Sequence, residues 1–411
     1  MNTGPTKSRP WWRKWGPGLL VTAAFIGPGT VTTASRAGAE YGYALLWTLV
    51  FAIAATVILQ EMAARLGLIT RQNLVTAIRS TISSTPLRWS AVILVLLAIG
   101  LGNTAYQTGN LTGAALGLSL IVNWSQSTCV LVLGFVVIGL LYVGATRGIL
   151  LTFLIGLVLL MSLAFLTTAI AVRPNPNAAF QGLCSFELPD GSLLTVLALI
   201  GTTVVPYNLF LHATTVQQKW PLEIDTPRAL RECRWDTLLS ISLGGLVTLS
   251  IIITSATMFF QQRQIETAVG MAAQLEPLLG STAKNLFAFG MLGAGLTSAI
   301  TAPLAAGYAM AGSYQWRRFT TSQVTTFVAL GVALTGMILA LCFGSSPRAT
   351  IVVAQAANGL LLPMIAMFLL IVMNQESLLG EYRNGPVANL LGVAVVIVTL
   401  VLGLGVINKL L

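Results

Sequence analysis

The chain is poor in charge and poorest in acid. Only 8% of its 411 residues are charged, and 12 Asp and Glu stand against 22 Lys and Arg. Soluble domains carry about 25% charged residues, so a soluble globular protein is excluded. With 55% hydrophobic residues and a mean hydropathy of +0.84, the composition is that of a protein that crosses a membrane several times.

Cysteine and histidine are also scarce. The four cysteines show no CxxC spacing, and the chain has one histidine. This pattern excludes the usual structural zinc site and gives no disulfide framework. No nucleophile–base pair is evident either, so we expect neither an enzyme nor a bound cofactor.

Basic residues are the one charged class in excess, and the net charge is +10. No basic domain lies outside the apolar stretches, so we expect no nucleic-acid partner and assign the excess to membrane topology. With the N-terminus inside, 16 of the 22 Lys and Arg fall in inner segments. The bias predicts a multi-pass cell-membrane protein with a cytoplasmic N-terminus and an outer C-terminus.

Long apolar runs are what the chain has in abundance. A spanning helix needs about 20 apolar residues, and eleven stretches qualify. The predicted spans are 17–45, 46–66, 89–118, 124–143, 149–172, 193–219, 236–260, 284–312, 321–343, 350–373 and 387–408. No connecting segment can hold a soluble domain, so we expect one membrane domain over residues 1–411.

Two of these spans are interrupted near their middle. The first carries Gly-Pro-Gly at 27–29, and the sixth carries Val-Pro-Tyr-Asn at 205–208. In hydrocarbon a broken helix persists only where its freed backbone groups face protein or a wet cavity. Matched breaks at the start of 17–172 and of 193–373 predict two inverted halves of five spans around a binding site, with span 387–408 added outside the repeat.

Polar side chains inside the spans have two readings each. Gln107 and Asn110 share one helix face, and Gln355 and Asn358 share another; each pair could join helices or line a route. His212, one turn past the second break, could titrate near neutral pH or simply pack.

Two acids fall inside spans. Glu61 precedes Arg65 by four residues, which favours a helix ion pair. Glu40 lies one turn from Arg36 near the outer mouth and could form a gate or a surface pair. Neither carboxylate is expected at the breaks.

Several stretches resemble the NRAMP family of metal transporters. They are GPG (16–18), RAGAEYGYALLW (36–47), QEMAARLG (60–67), GTTVVPYNLFLHATTVQ (201–217), GMLGAGLTSAITAPLAAGYAM (290–310) and AQAANGLLLP (354–363). The resemblance implies an all-α membrane protein of the LeuT type, with discontinuous first and sixth helices and eleven spans. It also implies proton-coupled import of manganese, iron and similar ions.

The departures from the family fall on functional positions. The family motif Asp-Pro-Gly-Asn reads Gly-Pro-Gly-Thr at 27–30, and Ala-Thr-Val-Met-Pro-His reads Thr-Thr-Val-Val-Pro-Tyr at 202–207. The two acids of the family's proton route align with Gln107 and Asn110. The second family histidine is kept as His212 and the glutamine of the tenth span as Gln355.

The breaks and the resemblance together give the candidate residues. Those expected to line the substrate site are Gly27, Thr30, Thr202, Val205, Tyr207 and Gln355. Those expected around it or along the route are Gln107, Asn110, Asn208, His212 and Asn358. No residue is assigned as a metal ligand.

The missing carboxylate, methionine and acids lead to a hypothesis about the substrate. A dehydrated divalent ion would be uncompensated there, so we expect alternating-access transport of a small neutral, zwitterionic or monocationic solute, with weak or absent proton coupling. The alternative is a carrier of a partly hydrated divalent ion of the Mn²⁺ or Mg²⁺ kind. A non-transporting membrane sensor is the second alternative. We expect a monomer whose partners are the bilayer and a small solute or cation.

Overall fold

The described part of the chain is helical. The computed structural model describes residues 26–144, 149–220, 225–260, 267–313, 320–344 and 346–410, and all regular structure in these ranges is helix. Ten helical segments there are long and apolar enough to cross a membrane. The all-α class is confirmed. Residues 17–25 of the first predicted span lie outside the described residues, so the number eleven stays a prediction.

Within the described residues, twelve helices build the bundle. They are α1 Pro28–Tyr41, α2 Leu46–Thr70, α3 Thr85–Val122, α4 Gln126–Val143, α5 Ile149–Ala171, α6 Leu193–Thr203, α7 Pro206–Lys219, α8 Thr226–Phe259, α9 Ala283–Ser313, α10 Thr321–Phe343, α11 Pro347–Met373 and α12 Pro386–Leu410. Helices α6 and α7 are the two halves of the predicted sixth span.

The hydropathy pattern predicted the positions of most spanning helices, but some of the predicted ends differ from those in the structure. Helix α10 matches its predicted span, whereas α8 begins ten residues before the predicted 236. The extra turns of α8 are polar and start from Asp225, whose side chain accepts a hydrogen bond from the Arg228 amide at 3.3 Å. A hydropathy rule detects the part of a helix that lies in lipid and cannot detect a polar extension beyond it.

Several short helices in the connecting segments were also missed, among them Leu74–Thr81, Pro176–Cys184 and Ala268–Ala272. Each of these three begins after a residue whose side chain accepts a backbone amide hydrogen bond: Asn73, Asn175 and Thr267. Such caps satisfy the free amides of a helix start, and they are too short a signal to stand out among polar loops.

Glycines let the helices of the interior touch through their backbones. A Cβ at Gly201 of α6 would lie 2.0 Å from the Gln355 carbonyl oxygen of α11, and one at Gly67 of α2 would lie 2.1 Å from the Ala213 carbonyl oxygen of α7. Small residues permit this approach where water cannot drive helix association. Both half-helices of the sixth span are thereby held against their neighbours.

Candidate functional site

The helix of the sixth span is interrupted at a proline. Helix α6 ends at Thr203 and α7 begins at Pro206, with Val204 and Val205 between them in extended or irregular conformation. Pro206 has no N–H, so the Thr202 carbonyl receives no bond from the residue four positions on. The predicted break in the sixth span is confirmed.

The first break has the same construction on its described side. Helix α1 begins at Pro28, after Gly27 in extended conformation (φ −112°, ψ −177°). The starts of α1 and α7 carry partial positive charge, and the end of α6 carries partial negative charge. Helix ends with partial positive charge and a helix end with partial negative charge are therefore both present at the breaks.

A direct hydrogen bond joins the two broken elements. The Thr30 and Thr202 hydroxyl oxygens lie 2.9 Å apart, although 172 residues separate them in the chain. Both side chains are fully buried. The structure thus brings together two of the residues expected to line the site.

Gln355 of α11 lies directly against the first break. A Cβ at Gly29 would lie 2.2 Å from the Gln355 Nε2 and 2.3 Å from its Cδ, so a larger residue there would have to displace the glutamine side chain. The Gln355 side chain is fully buried, and neither its oxygen nor its nitrogen has a hydrogen-bond partner among the described residues. An unpaired buried amide is costly, which favours a polar guest beside it.

A tyrosine pair covers the other side of the breaks. The rings of Tyr106 and Tyr207 meet edge to face with centroids 5.3 Å apart, and their side chains are hydrogen-bonded to each other. A Cβ at Gly27 would lie 3.1 Å from the Ser298 hydroxyl oxygen and 3.7 Å from that of Tyr106. A side chain at position 27 would therefore meet two hydroxyl groups.

Tyr106 and Ser298 were not among the predicted site residues. Both are fully buried, on α3 and α9. Tyr106 precedes Gln107 and lies one turn before Asn110, so it shared a helix with predicted residues without being recognised. Only the packing of α3 and α9 against the breaks shows their place.

Asn358 lies beside Tyr207. The two residues line a cavity of about 10 Å³ together with Asn103 and Pro206, which is room for about one water. The Asn358 Nδ2 atom is buried without a partner among the described residues. This places the predicted α11 pair, Gln355 and Asn358, at two successive levels beside the breaks.

Other predicted amides are buried without partners. Gln107, Asn110 and Asn208 are fully buried, and in each both side-chain polar atoms have no hydrogen-bond partner among the described residues. Gln107 packs against Gly336 of α10, where a Cβ would lie 2.5 Å from its Cγ. No described contact supports the reading of these three amides as hydrogen-bonding glue between helices.

His212 is turned toward α2. Its Nδ1 lies 3.0 Å from the Gln60 Oε1. Its Nε2 is buried without a partner among the described residues. No described contact joins it to Thr30, Thr202 or Gln355, which favours the packing role left open by the sequence.

The described side chains around the breaks carry no formal charge. Among the described residues Arg65 is the one buried side chain with a permanent charge, and it lies far along α2. No group of three or more His, Cys, Asp or Glu in the described ranges is placed to hold a metal ion. The donors around the breaks are hydroxyl, amide and backbone groups.

The two predicted ion pairs are both formed. Arg65 contacts Glu61 at 3.0 Å, and Arg36 contacts Glu40 at 2.8 Å. Glu40 also lies 3.8 Å from Arg348, which links the end of α1 to the start of α11. Glu40 is ten residues beyond Thr30, about 15 Å along a helix, so its carboxylate is remote from the breaks.

Curated relatives extend over nearly the whole chain. The protein named divalent metal cation transporter MntH of Chromohalobacter salexigens is 28% identical over 412 residues, covering 98% of this chain and 92% of its own. The MntH of Mycobacterium leprae is 27% identical over 395 residues, covering 94% and 89%.

Solved structures share the fold. A manganese transporter of Eremococcus coleocola, in complex with an aromatic bis-isothiourea substituted compound, superposes with a TM-score of 0.78 at 23% identity, covering 98% of this chain and 89% of that one. Mhp1, a nucleobase-cation-symport-1 transporter, superposes at 0.57 with 13% identity, covering 100% and 95%. The expected LeuT-type architecture is confirmed.

Nearly the whole chain also matches a family model. The model described as natural resistance-associated macrophage protein-like matches residues 18–408. It includes both breaks, the α3 and α9 helices and the added α12. The protein belongs to this Nramp family of membrane transporters.

Proposed function

We propose that the protein is an alternating-access transporter of divalent metal cations and that it holds the ion partly hydrated. The observation that carries this is the full-length relationship to proteins named divalent metal cation transporters. The comparisons thus favour the alternative drawn from the sequence over the neutral-solute hypothesis, which they do not support. Orientation, with the N-terminus inside and the C-terminus outside, and the monomeric state are parts of the proposal.

The uncharged site explains why water stays with the ion. A bare divalent ion in a low-dielectric site without a carboxylate loses its hydration and gains no opposite charge. Mg²⁺ and similar hard ions keep several waters, and those waters need hydrogen-bond acceptors. The oxygens of Thr30, Thr202 and Gln355 offer acceptors at the junction of the broken helices.

The donor set also bears on which ion is carried. Soft thioether ligands favour soft transition metals, whereas oxygen ligands favour Mg²⁺ and Mn²⁺. Val205, the residue just before α7, is a buried aliphatic side chain at the position of the methionine in the family motif. We therefore infer a preference for Mg²⁺ or Mn²⁺ over Cd²⁺.

A small neutral, zwitterionic or monocationic solute is the second candidate. The absence of carboxylates among the described site residues favours it, because such a solute needs no full compensating charge. The Tyr106–Tyr207 pair supplies aromatic surface and hydroxyl groups of the kind that bind organic solutes.

Uptake into proteoliposomes tests the proposal. We expect uptake of Mg²⁺ or Mn²⁺ that falls strongly in Gln355→Ala and stays unchanged in Gln181→Ala, an exposed glutamine in the segment 176–184. Competition by excess amino acids or osmolytes should leave this uptake unchanged. Uptake of an organic solute with no flux of any divalent ion would replace the proposal by the second candidate.

A further inference from the structure

A large groove lies away from the breaks, between α2, the start of α8 and the start of α12. Its volume is about 660 Å³. We call it the α2–α12 groove. Its lining residues include Val57, Ile58, Glu61, Arg65, Arg234, Tyr382, Arg383, Val387, Ala388 and Leu391.

The groove has chemically different ends. Arg65, Arg234 and Arg383 lie at the end formed by the last turns of α2, the first turns of α8 and the segment before α12. Val57 and Ile58 lie two turns before Arg65, about 10 Å nearer the N-terminal end of α2. The groove therefore runs from an arginine-lined end near the helix termini toward an apolar wall deeper along the spans.

Arg65 forms the fixed base of the arginine-lined end. Its guanidinium donates to the Tyr382 carbonyl and to the Asn384 Oδ1, each at 2.7 Å, and to Glu61 at 3.0 Å. The residue is only 5% exposed, and its Nε has no hydrogen-bond partner among the described residues. A nearly buried arginine thus ties the segment before α12 to α2 and lines the groove.

Two further arginines extend from this base toward solvent. The side chains of Arg234 and Arg383 are 52% and 51% exposed. Arg234 donates to Glu61 at 2.8 Å, and Arg383 contacts Glu376. Each guanidinium has five N–H donors, so one carboxylate contact leaves several for a ligand.

Guanidinium donors are what this end offers a ligand. Three arginines line the groove with two glutamates, Glu61 and Glu381, and a third glutamate, Glu376, pairs with Arg383. The formal charges therefore balance, but the carboxylates leave several N–H donors of Arg234 and Arg383 unused. On the apolar side, Val387 and Leu391 of α12 are 70% and 43% exposed. A ligand with an anionic head and an aliphatic tail fits both ends.

We propose that the α2–α12 groove binds an anionic phospholipid, with its phosphate at Arg234 and Arg383 and an acyl chain along Ile58 and Leu391. Basic pockets between spanning helices at the membrane interface recognise such headgroups. Bidentate guanidinium contacts suit the phosphate, and arginine presents them in a fixed plane. The site is separate from the broken helices and does not depend on which substrate is transported.

Lipid binding to the purified full-length protein tests the proposal, with native mass spectrometry as the readout. We expect phosphatidylglycerol to bind more tightly than phosphatidylcholine, and Arg234→Gln/Arg383→Gln to weaken phosphatidylglycerol roughly tenfold or more. The matched control is Arg228→Gln/Arg231→Gln, which removes two exposed charges from α8 outside the groove. It should bind like the unaltered protein.

Two further arms separate a lipid site from a phosphate site and from a folding defect. Leu391→Asn should weaken phosphatidylglycerol, and glycerol phosphate alone should bind far more weakly than the lipid. If the glutamine double variant unfolds, Arg234→Lys/Arg383→Lys takes its place. It keeps both charges, and we expect it to retain part of the affinity for phosphatidylglycerol. Equal binding of both lipids, equal loss in the control variant, or glycerol phosphate binding as tightly as the lipid would overturn the proposal.

Discussion

At the scale of single residues, the site is defined by what glycine leaves room for. Gln355 occupies the space that a Cβ at Gly29 would fill, and Ser298 and Tyr106 lie around Gly27. The sequence predicted Gly27, Thr30, Thr202, Tyr207 and Gln355 as a set, because they belong to the breaks or to a matching motif. It did not single out Tyr106 or Ser298, although Ser298 lies in the matching stretch 290–310, since their place beside Gly27 depends on how α3 and α9 pack.

The contact between Gly29 and Gln355 leads to the first prediction. Gly29→Ala should displace the glutamine side chain and destabilise the protein by about 1–3 kcal/mol, the usual cost of overpacking. Gly331→Ala is the control, because a Cβ at Gly331 of α10 meets nothing within 4 Å. Thermal unfolding in detergent should show a lower midpoint for the first variant and an unchanged or higher midpoint for the second. Equal midpoints in the two variants would contradict the observed packing.

Restoring the lost ligands gives the second prediction. Gly27→Asp with Val205→Met should raise the affinity for Mn²⁺ and Cd²⁺, because a carboxylate beside Ser298 and Tyr106 compensates the ion and a thioether favours soft metals. Isothermal calorimetry measures the gain, and Gly27→Asn with Val205→Met is the uncharged control. A gain of the same size in both variants would show that charge is not what the site lacks.

At the scale of helices, breaks were easier to predict than ends. Pro206 removes a donor from a helix that must satisfy itself in lipid, so the break in the sixth span is visible in the sequence. The start of α8 was wrong by ten residues because its first turns are polar and lie beyond the apolar run. The register between half-helices, seen in the Thr30–Thr202 bond, depends on contacts far apart in the chain and could not be predicted from either span alone.

That bond leads to a third prediction. Thr30→Val and Thr202→Val should each destabilise the protein, whereas the double variant should lose less than the sum, because the hydrogen bond between the two hydroxyls is lost only once. The coupling should be about 1 kcal/mol in a double-mutant cycle of unfolding free energies. Thr167→Val in α5 is the comparison, because the Thr167 hydroxyl donates only to carbonyls of its own helix. Combined with Thr30→Val, it should give additive losses of unfolding free energy. Strict additivity of the Thr30 and Thr202 variants would mean that the two hydroxyls do not interact in the folded protein.

At the scale of the whole molecule, an Nramp-family fold is combined with an uncharged centre. The fold follows from the order of apolar runs and the paired breaks, which is why the sequence sufficed to predict it. The substrate did not follow in the same way, because the sequence departs from the family motifs at the breaks. The described residues there offer hydroxyl, amide and backbone groups, and the relatives are named divalent metal cation transporters.

Proton coupling is the fourth prediction, and it belongs to this scale. No acid is buried among the described residues, and the resemblance aligns Gln107 and Asn110 with the acids of the family's proton route. Metal uptake into sealed vesicles should therefore proceed without acidification of the lumen, as followed by a trapped pH-sensitive dye. Vesicles without protein give the baseline for proton leak. Acidification that rises with metal uptake would show that another route carries protons.

The proposed function requires that a divalent ion bind at the junction of α1, α6 and α11 with part of its water retained. A crystal structure with Mn²⁺, using anomalous scattering to locate the ion, would show whether it does. We expect one peak beside Thr30, Thr202 and Gln355, separated from most protein oxygens by more than the roughly 2.1 Å of direct hard-ion coordination. A peak held directly by a carboxylate, or an organic molecule at the junction with no metal peak there, would contradict it.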